Sequence, residues 1–318
     1  KPKISGKLEL DKLEVKIDYL NTTYRTTTTV FVDEDMFAIN NAELYDEENN
    51  KASLNATIFH DNFKDFNMDI GLYTRKFLFL NTNEFQNKLF YGRAILSGQA
   101  NISGYADQLI MDAEVKTERG SLLNIPLSDE SEIGENNLVT FINNGTELEK
   151  EQEIDLSHIL MNFKMEVTPD AEVRLIFDEQ IGDIIKSRRE GDILMEINTK
   201  GDFNIYGTYT ITEGDYLFTL QNVINKRFTL EKGGTISWNG DPLKAQLDIN
   251  AIYRLRASPY DLMVGDSLSR AKYKNRIPIE VKLSMEKDLM NPDITFDIEA
   301  PSATQEVRDR LASITYAS

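Results

Sequence analysis

The sequence predicts an all-β protein: a long run of antiparallel strands forming one elongated sheet with apolar side chains on one face. Three observations predict it. Apolar and polar residues alternate with a period of two along most of the 318 residues, the pattern of a strand with one covered face. Clusters of Gly, Pro, Asn and Asp interrupt these rows every 10 to 20 residues or so, as in a meander of hairpins. Threonine-rich and aromatic stretches such as Thr26 to Val32 favour extended backbone.

Taken in order, Leu8 and Leu10 alternate with Lys7 and Glu9, and Leu13, Val15 and Ile17 continue the row. Asp46 to Asn50 is a turn, and Phe66, Met68, Ile70 and Leu72 form the next clear row. Asn124 to Glu153 is acidic, rich in Asn and Gly and weakly periodic, which marks a loop or insertion between two halves of the sheet. Glu179 to Glu190 carries Ile181, Ile184 and Ile185 at helical spacing and is expected to be a helix. Phe203, Ile205, Tyr209 and Ile211 are a strand, and Glu213-Gly214 is read as a turn before Tyr216, Phe218 and Leu220. Lys232 to Gly234, Asn239 to Pro242 and Asn291 to Asp293 separate further strands at Phe228 to Leu230, Leu247 to Tyr253, Ile279 to Leu283 and Ile294 to Ile298. A last helix starts from Ser302 as N-cap, with Gln305 completing a capping box and Val307, Leu311 and Ile314 on one stripe.

Composition removes several function classes. With 53 acidic and 35 basic side chains the net charge is −18, so nucleic acid is excluded as a partner and an anionic membrane surface is not bound by charge alone. There is no cysteine, hence no disulfide scaffold, zinc-thiolate site or thiol nucleophile. The two histidines, His60 and His158, are far apart, which argues against a histidine metal site or a histidine-based triad. Asp33 to Asp35 and Asp46 to Glu48 lack calcium-loop spacing and read as solvated turns. No catalytic residue, metal ligand or cofactor site is expected. The chain is read as a binding or transport element and not as an enzyme.

Roughly 20 strands at about 4.8 Å each would extend on the order of 100 Å, and open sheets rarely exceed about 10 strands without curling or splitting. A closed sandwich and a long half-pipe both satisfy that pattern. Gly201 to Arg256 separates them by resemblance. Gly207, Tyr209, Ile211, Gly214, Tyr216 and Phe218 read as one hairpin unit; Phe228, Gly234, Ile236, Gly240 and Pro242 as the next. Leu247, Ile249, Ala251 and Tyr253 follow, then Ile277 to Leu283 and Asn291 to Pro301. This series resembles the C-terminal domain of the TamB family, AsmA-like proteins of the bacterial cell envelope. Residues 176–318 are assigned to that domain, truncated at its end, and residues 1–175 to a sheet segment that continues it.

The resemblance implies a curled sheet, a taco or half-pipe with an apolar concave face, in the periplasm of a diderm bacterium, within a protein anchored in the inner membrane by a helix outside this sequence. It implies phospholipid movement between the two membranes through that groove. The alternative it implies is assembly of outer-membrane β-barrels with a TamA- or BamA-like barrel partner. Bound phospholipid or detergent is the only ligand expected. Exposing acyl chains to water costs about 0.8 kcal/mol per methylene, on the order of 20 kcal/mol for a two-chain lipid, and a continuous apolar trough removes most of that cost without any chemistry. The residues expected to line it are Phe203, Ile205, Tyr216, Phe218, Phe228, Ile236, Trp238, Leu247, Ile249, Val281, Phe296 and Ile298. The competing reading is that the same residues fill a closed core.

Overall fold

The computed structural model describes residues 4–126, 140–141, 159–178, 183–198, 202–220, 224–263 and 271–315. Most of the Asn124 to Glu153 stretch, His158, Ile181 and Gly201 lie outside them. The protein is all-β, with one large curved sheet and, among the described residues, one α-helix. The first half contains β1 (Gly6–Ile17), β2 (Thr22–Val32), β3 (Met36–Tyr45), β4 (Lys51–Asp61), β5 (Lys64–Thr82), β6 (Tyr91–Tyr105), β7 (Gln108–Thr117) and β8 (Leu122–Pro126). After the short β9 (Thr140–Phe141) come β10 (Ile159–Val167), β11 (Glu172–Asp178), β12 (Asp183–Asn198) and β13 (Phe203–Leu220). β14 (Ile224–Leu230), β15 (Thr235–Gly240), β16 (Gln246–Ala257), β17 (Ile277–Asp288) and β18 (Asp293–Glu299) complete the sheet, and α1 (Gln305–Thr315) follows.

β1 to β7 pair antiparallel in chain order. β7 and β8 together form one strand position, and so do β10 and β11. The two positions meet through parallel ladders, Leu109 to Lys116 against Ile159 to Glu166 and Leu122 to Pro126 against Glu172 to Ile176. Beyond them β12 and β13 pair antiparallel, β14 and β15 share the next position, and β16, β17 and β18 end the sheet. The halves on either side of the insertion are therefore joined in one ladder that runs from β1 to β18, with the short β9 paired antiparallel on the other edge of β1. Among the described residues β1 and β18 do not pair with each other.

The sheet is strongly curled. Tyr24 on β2 stacks on Phe77 of β5 with ring centroids 5.0 Å apart, Phe79 on β5 meets Phe163 of β10 at 5.7 Å, and Phe228 on β14 meets Phe296 of β18 at 6.4 Å. Each pair is three strand positions apart, about 14 Å along a flat sheet. The rings touch only because the surface bends towards its apolar side. Bulges supply the bending: the register shifts at Lys12 in β1, Asn41 in β3 and Lys76 in β5, each with φ near +50°.

Where β5 runs beyond β4, its edge is finished by side chains. The fully buried carboxylate of Asp46, in the β3–β4 turn, accepts from the backbone N–H groups of Glu48, Asn50 and Leu78 and from Asn50 Nδ2. The Tyr24 hydroxyl donates to the Leu78 carbonyl at 3.1 Å. These bonds satisfy groups that would otherwise be buried without partners.

Three expectations are corrected. Residues 183–190 of the expected helix belong to β12, with Ile185 wholly buried; the segment is paired on both sides by β11 and β13, and that pairing overrides its helical spacing. Glu213-Gly214 is not a turn. β13 runs unbroken from Phe203 to Leu220, and a register shift at Thr212 moves the apolar row from odd to even positions, so that Ile211 and Tyr216 both face inward. Finally, α1 starts after Thr304, whose carbonyl accepts from Val307 and Arg308 N–H. Ser302 precedes the helix, and Gln305 bonds to Asp309 and Arg308 instead of reaching back. Val307 and Leu311 are buried as the stripe requires.

Candidate functional site: the apolar inner face

The alternation of each strand places its apolar set on the inner side of the curl, and the register aligns these sets across the sheet. One such row joins Leu8, Val30, Ile39, Ala56 and Ile70 on β1 to β5. It continues through Ile102, Met111, Met161, Ile197 and Phe203 on β6, β7, β10, β12 and β13. Ten consecutive strand positions thus carry an apolar residue at the same level, a span of about 43 Å. A second row, Ala42, Leu54, Leu72, Ala100, Ala113, Phe163, Met195 and Ile205, lies beside it. The outer face is different. There Glu114 on β7 accepts from Lys164 of β10 at 3.1 Å and from Gln99 of β6 at 3.4 Å, and the hydrogen bond and charge of Lys164 hold the Glu114 carboxyl below its ordinary range.

Of the twelve residues singled out from sequence, Phe203, Ile205, Tyr216, Phe228, Ile236, Trp238, Leu247 and Ile249 are buried in the main core on this inner face. Phe218 and Val281 pack against it partly exposed. Phe296 stays 42% exposed at the edge strand, although its ring meets those of Phe218 and Phe228. Ile298 packs instead on a second, smaller core with Met263, Tyr273, Ala300, Val307 and Leu311, beneath α1. Trp238 donates its indole N–H to the Pro242 carbonyl at 3.1 Å, so its polar edge is satisfied inside the sheet.

The same alternation extends to residues outside the twelve. Leu8 is 54% exposed, and Ile39, Ile58, Met68, Ile70 and Ile102 are half-buried, all on the inner face of β1 to β6. Their signal was the period-two row itself; what the sequence lacked was any sign of which part of the row is covered. Towards β13 the face closes. Leu80, Phe90, Phe163, Ile205 and Trp238 are among the walls of an apolar cavity of about 110 Å³. An apolar cavity of about 150 Å³ admits one benzene, so an acyl chain cannot occupy this part without displacing side chains.

The arrangement offers hydrophobic contact. Among the described residues no three His, Cys, Asp or Glu side chains are grouped to hold a metal, and no helix is long and apolar enough to cross a membrane. The profile of the TamB C-terminal domain family matches residues 40–313, from within β3 to within α1. The chain belongs to the TamB family. TamB proteins are cell-envelope proteins of transport and assembly. No individual curated protein matches the sequence. In this TamB chain the match covers the strands on both sides of the parallel junction.

Proposed function

We propose that this chain is a periplasmic segment of an envelope-spanning, inner-membrane-anchored TamB protein, and that its inner face carries phospholipid between the inner and outer membranes. The observation that supports this reading is the uninterrupted apolar row across ten strand positions, opposed by a charged outer face. Such a surface shelters acyl chains and leaves the headgroup in water, and at about 25 cal/mol per Å² of apolar area covered the gain accrues at every strand without a catalytic residue or cofactor. Of the twelve residues from Phe203 to Ile298, all but Ile298 border its C-terminal stretch, with bound phospholipid as the one ligand. Native mass spectrometry with lipid extraction on the purified chain tests it. Phospholipid is expected to co-purify or to be taken up from vesicles; a chain that stays empty when offered phospholipid would sink the reading.

A second reading, assembly of outer-membrane barrels with a TamA- or BamA-like partner, has one observation in its favour. Among the described residues β18 pairs only with β17, and it leaves Ile294 and Phe296 exposed on an open edge. Such an edge can take a further strand. Disulfide trapping between cysteines placed on β18 and on a barrel edge strand separates this role from lipid carriage.

A further inference from the structure

We infer that phospholipid acyl chains load onto this protein at the inner face of β1 to β5, and not in the C-terminal stretch that sequence patterning alone singles out. The inference rests on the lipid-carrier reading and locates its entry site.

The exposure of the continuous row carries the argument. At its β13 end Met111, Met161, Ile197 and Phe203 are each buried, at 9% exposure or less. At its β1 end Leu8 is 54% exposed and Ile39 and Ile70 are half-buried, while Val30 and the small Ala56 between them are buried. One apolar surface is therefore buried at every strand at one end and exposed or half-exposed on alternate strands, β1, β3 and β5, at the other. In the C-terminal stretch the partly exposed Phe296 ring lies against Phe218 and Phe228, and in the middle of the sheet the cavity of about 110 Å³, walled mostly by strands from β5 to β13, is too small for a chain. An entering chain meets no such barrier on β1 to β5, where Ile58 and Met68 widen the row to a second level.

Dimensions fit the same occupant. Four strand steps from β1 to β5 span about 19 Å, and one leaflet of acyl chain fills about half of the ~30 Å hydrocarbon thickness of a bilayer. A single chain laid across the strands covers this platform from Leu8 to Ile70. It lies in continuity with the buried row.

The test places a photoreactive benzoyl-phenylalanine at Ile39, Ile70, Ile249 or, as an outer-face control, Tyr73. Each variant of the full 318-residue chain is incubated with vesicles of phosphatidylethanolamine and a minority of phosphatidylglycerol. Several-fold stronger lipid adducts at 39 and 70 than at 249 and 73 are expected. Adducts strongest at 249 would overturn the entry site and leave the carrier reading standing. Adducts equal at 73 and 39 would overturn the site as non-specific. No adduct at any position would remove the carrier reading itself. Because a bulky probe can unfold the closed stretch, Ile39→Glu and Ile70→Glu provide a second readout. Both sit on a water-accessible face, so they are expected to retain wild-type circular dichroism while lipid uptake falls several-fold; unchanged uptake in both overturns the proposal.

Discussion

Tyr24 shows how a single residue fixes the curl. Its ring stacks on Phe77, and its hydroxyl donates to the Leu78 carbonyl, so one side chain joins β2 to the free edge of β5. Burial pushes the Tyr24 phenol well above its ordinary value of 10, and the nearby carboxylates of Asp46 and Glu47 add to the push. The folded state therefore keeps this proton above pH 10, where the unfolded chain releases it. A state that binds more protons loses stability as pH rises, at up to about 1.4 kcal/mol per pH unit for one group. Tyr24→Phe removes this liability along with one hydrogen bond worth about 1 kcal/mol. Urea unfolding is expected to find wild type the more stable at neutral pH. The gap should narrow or reverse about one unit above the ordinary tyrosine pKa; a gap constant across that range would contradict the buried, neutral phenol.

At the scale of elements, strand rows were legible and their interruptions were not. The period-two rows at Phe66 to Leu72 and Leu247 to Tyr253 lie in β5 and β16 as expected, because a covered face imposes alternation directly. β13 is not legible as one strand, because a change of parity between Ile211 and Tyr216 is equally consistent with a turn and with a bulge, and Gly214 favours a turn. In the structure it is Gly207, on the same strand, that needs its missing side chain: φ is +124°, and an added Cβ would stand 2.7 Å from the Asp192 carbonyl oxygen. Gly98 on β6 is tighter, at φ +147° and 2.2 Å from the Glu114 carbonyl oxygen. Gly71 on β5 has open space and no such angle. Gly98→Ala is thus expected to lose stability by about 3 kcal/mol or more, from backbone strain plus the clash. Gly71→Ala should be neutral or gain up to about 1 kcal/mol. Urea midpoints of the two variants check both, and a tolerant Gly98 would mean that the strand there can straighten.

At the scale of the whole molecule, sequence leaves open whether the inner face closes on itself or stays a trough, and the structure buries that face from β7 to β13 while leaving Leu8 exposed and Ile39 and Ile70 half-buried. Curvature depends on bulges whose residues need not advertise them: Asn41 is a residue type that tolerates positive φ, whereas Lys12 and Lys76 carry no such signal. Relative position depends on the parallel junction, which no local pattern encodes, because its partners lie about 50 residues apart. That junction has consequences for cooperativity. Residue 175, the boundary expected from sequence, is itself a rung: Leu175 pairs with Ile125. Met111 and Met161 face each other across the same junction, both in the main core. Two independent domains would share few contacts across a boundary, whereas here ladder and core both pass through it. The halves are therefore expected to unfold together. Trp238, the only tryptophan, reports on the second half alone, while far-UV circular dichroism reports on every strand. In urea the two signals should give superimposable transitions. If Trp238 fluorescence changes at a lower or higher midpoint than the dichroism, the junction does not couple the halves, and a lipid row crossing it would have to be carried by two bodies that move apart.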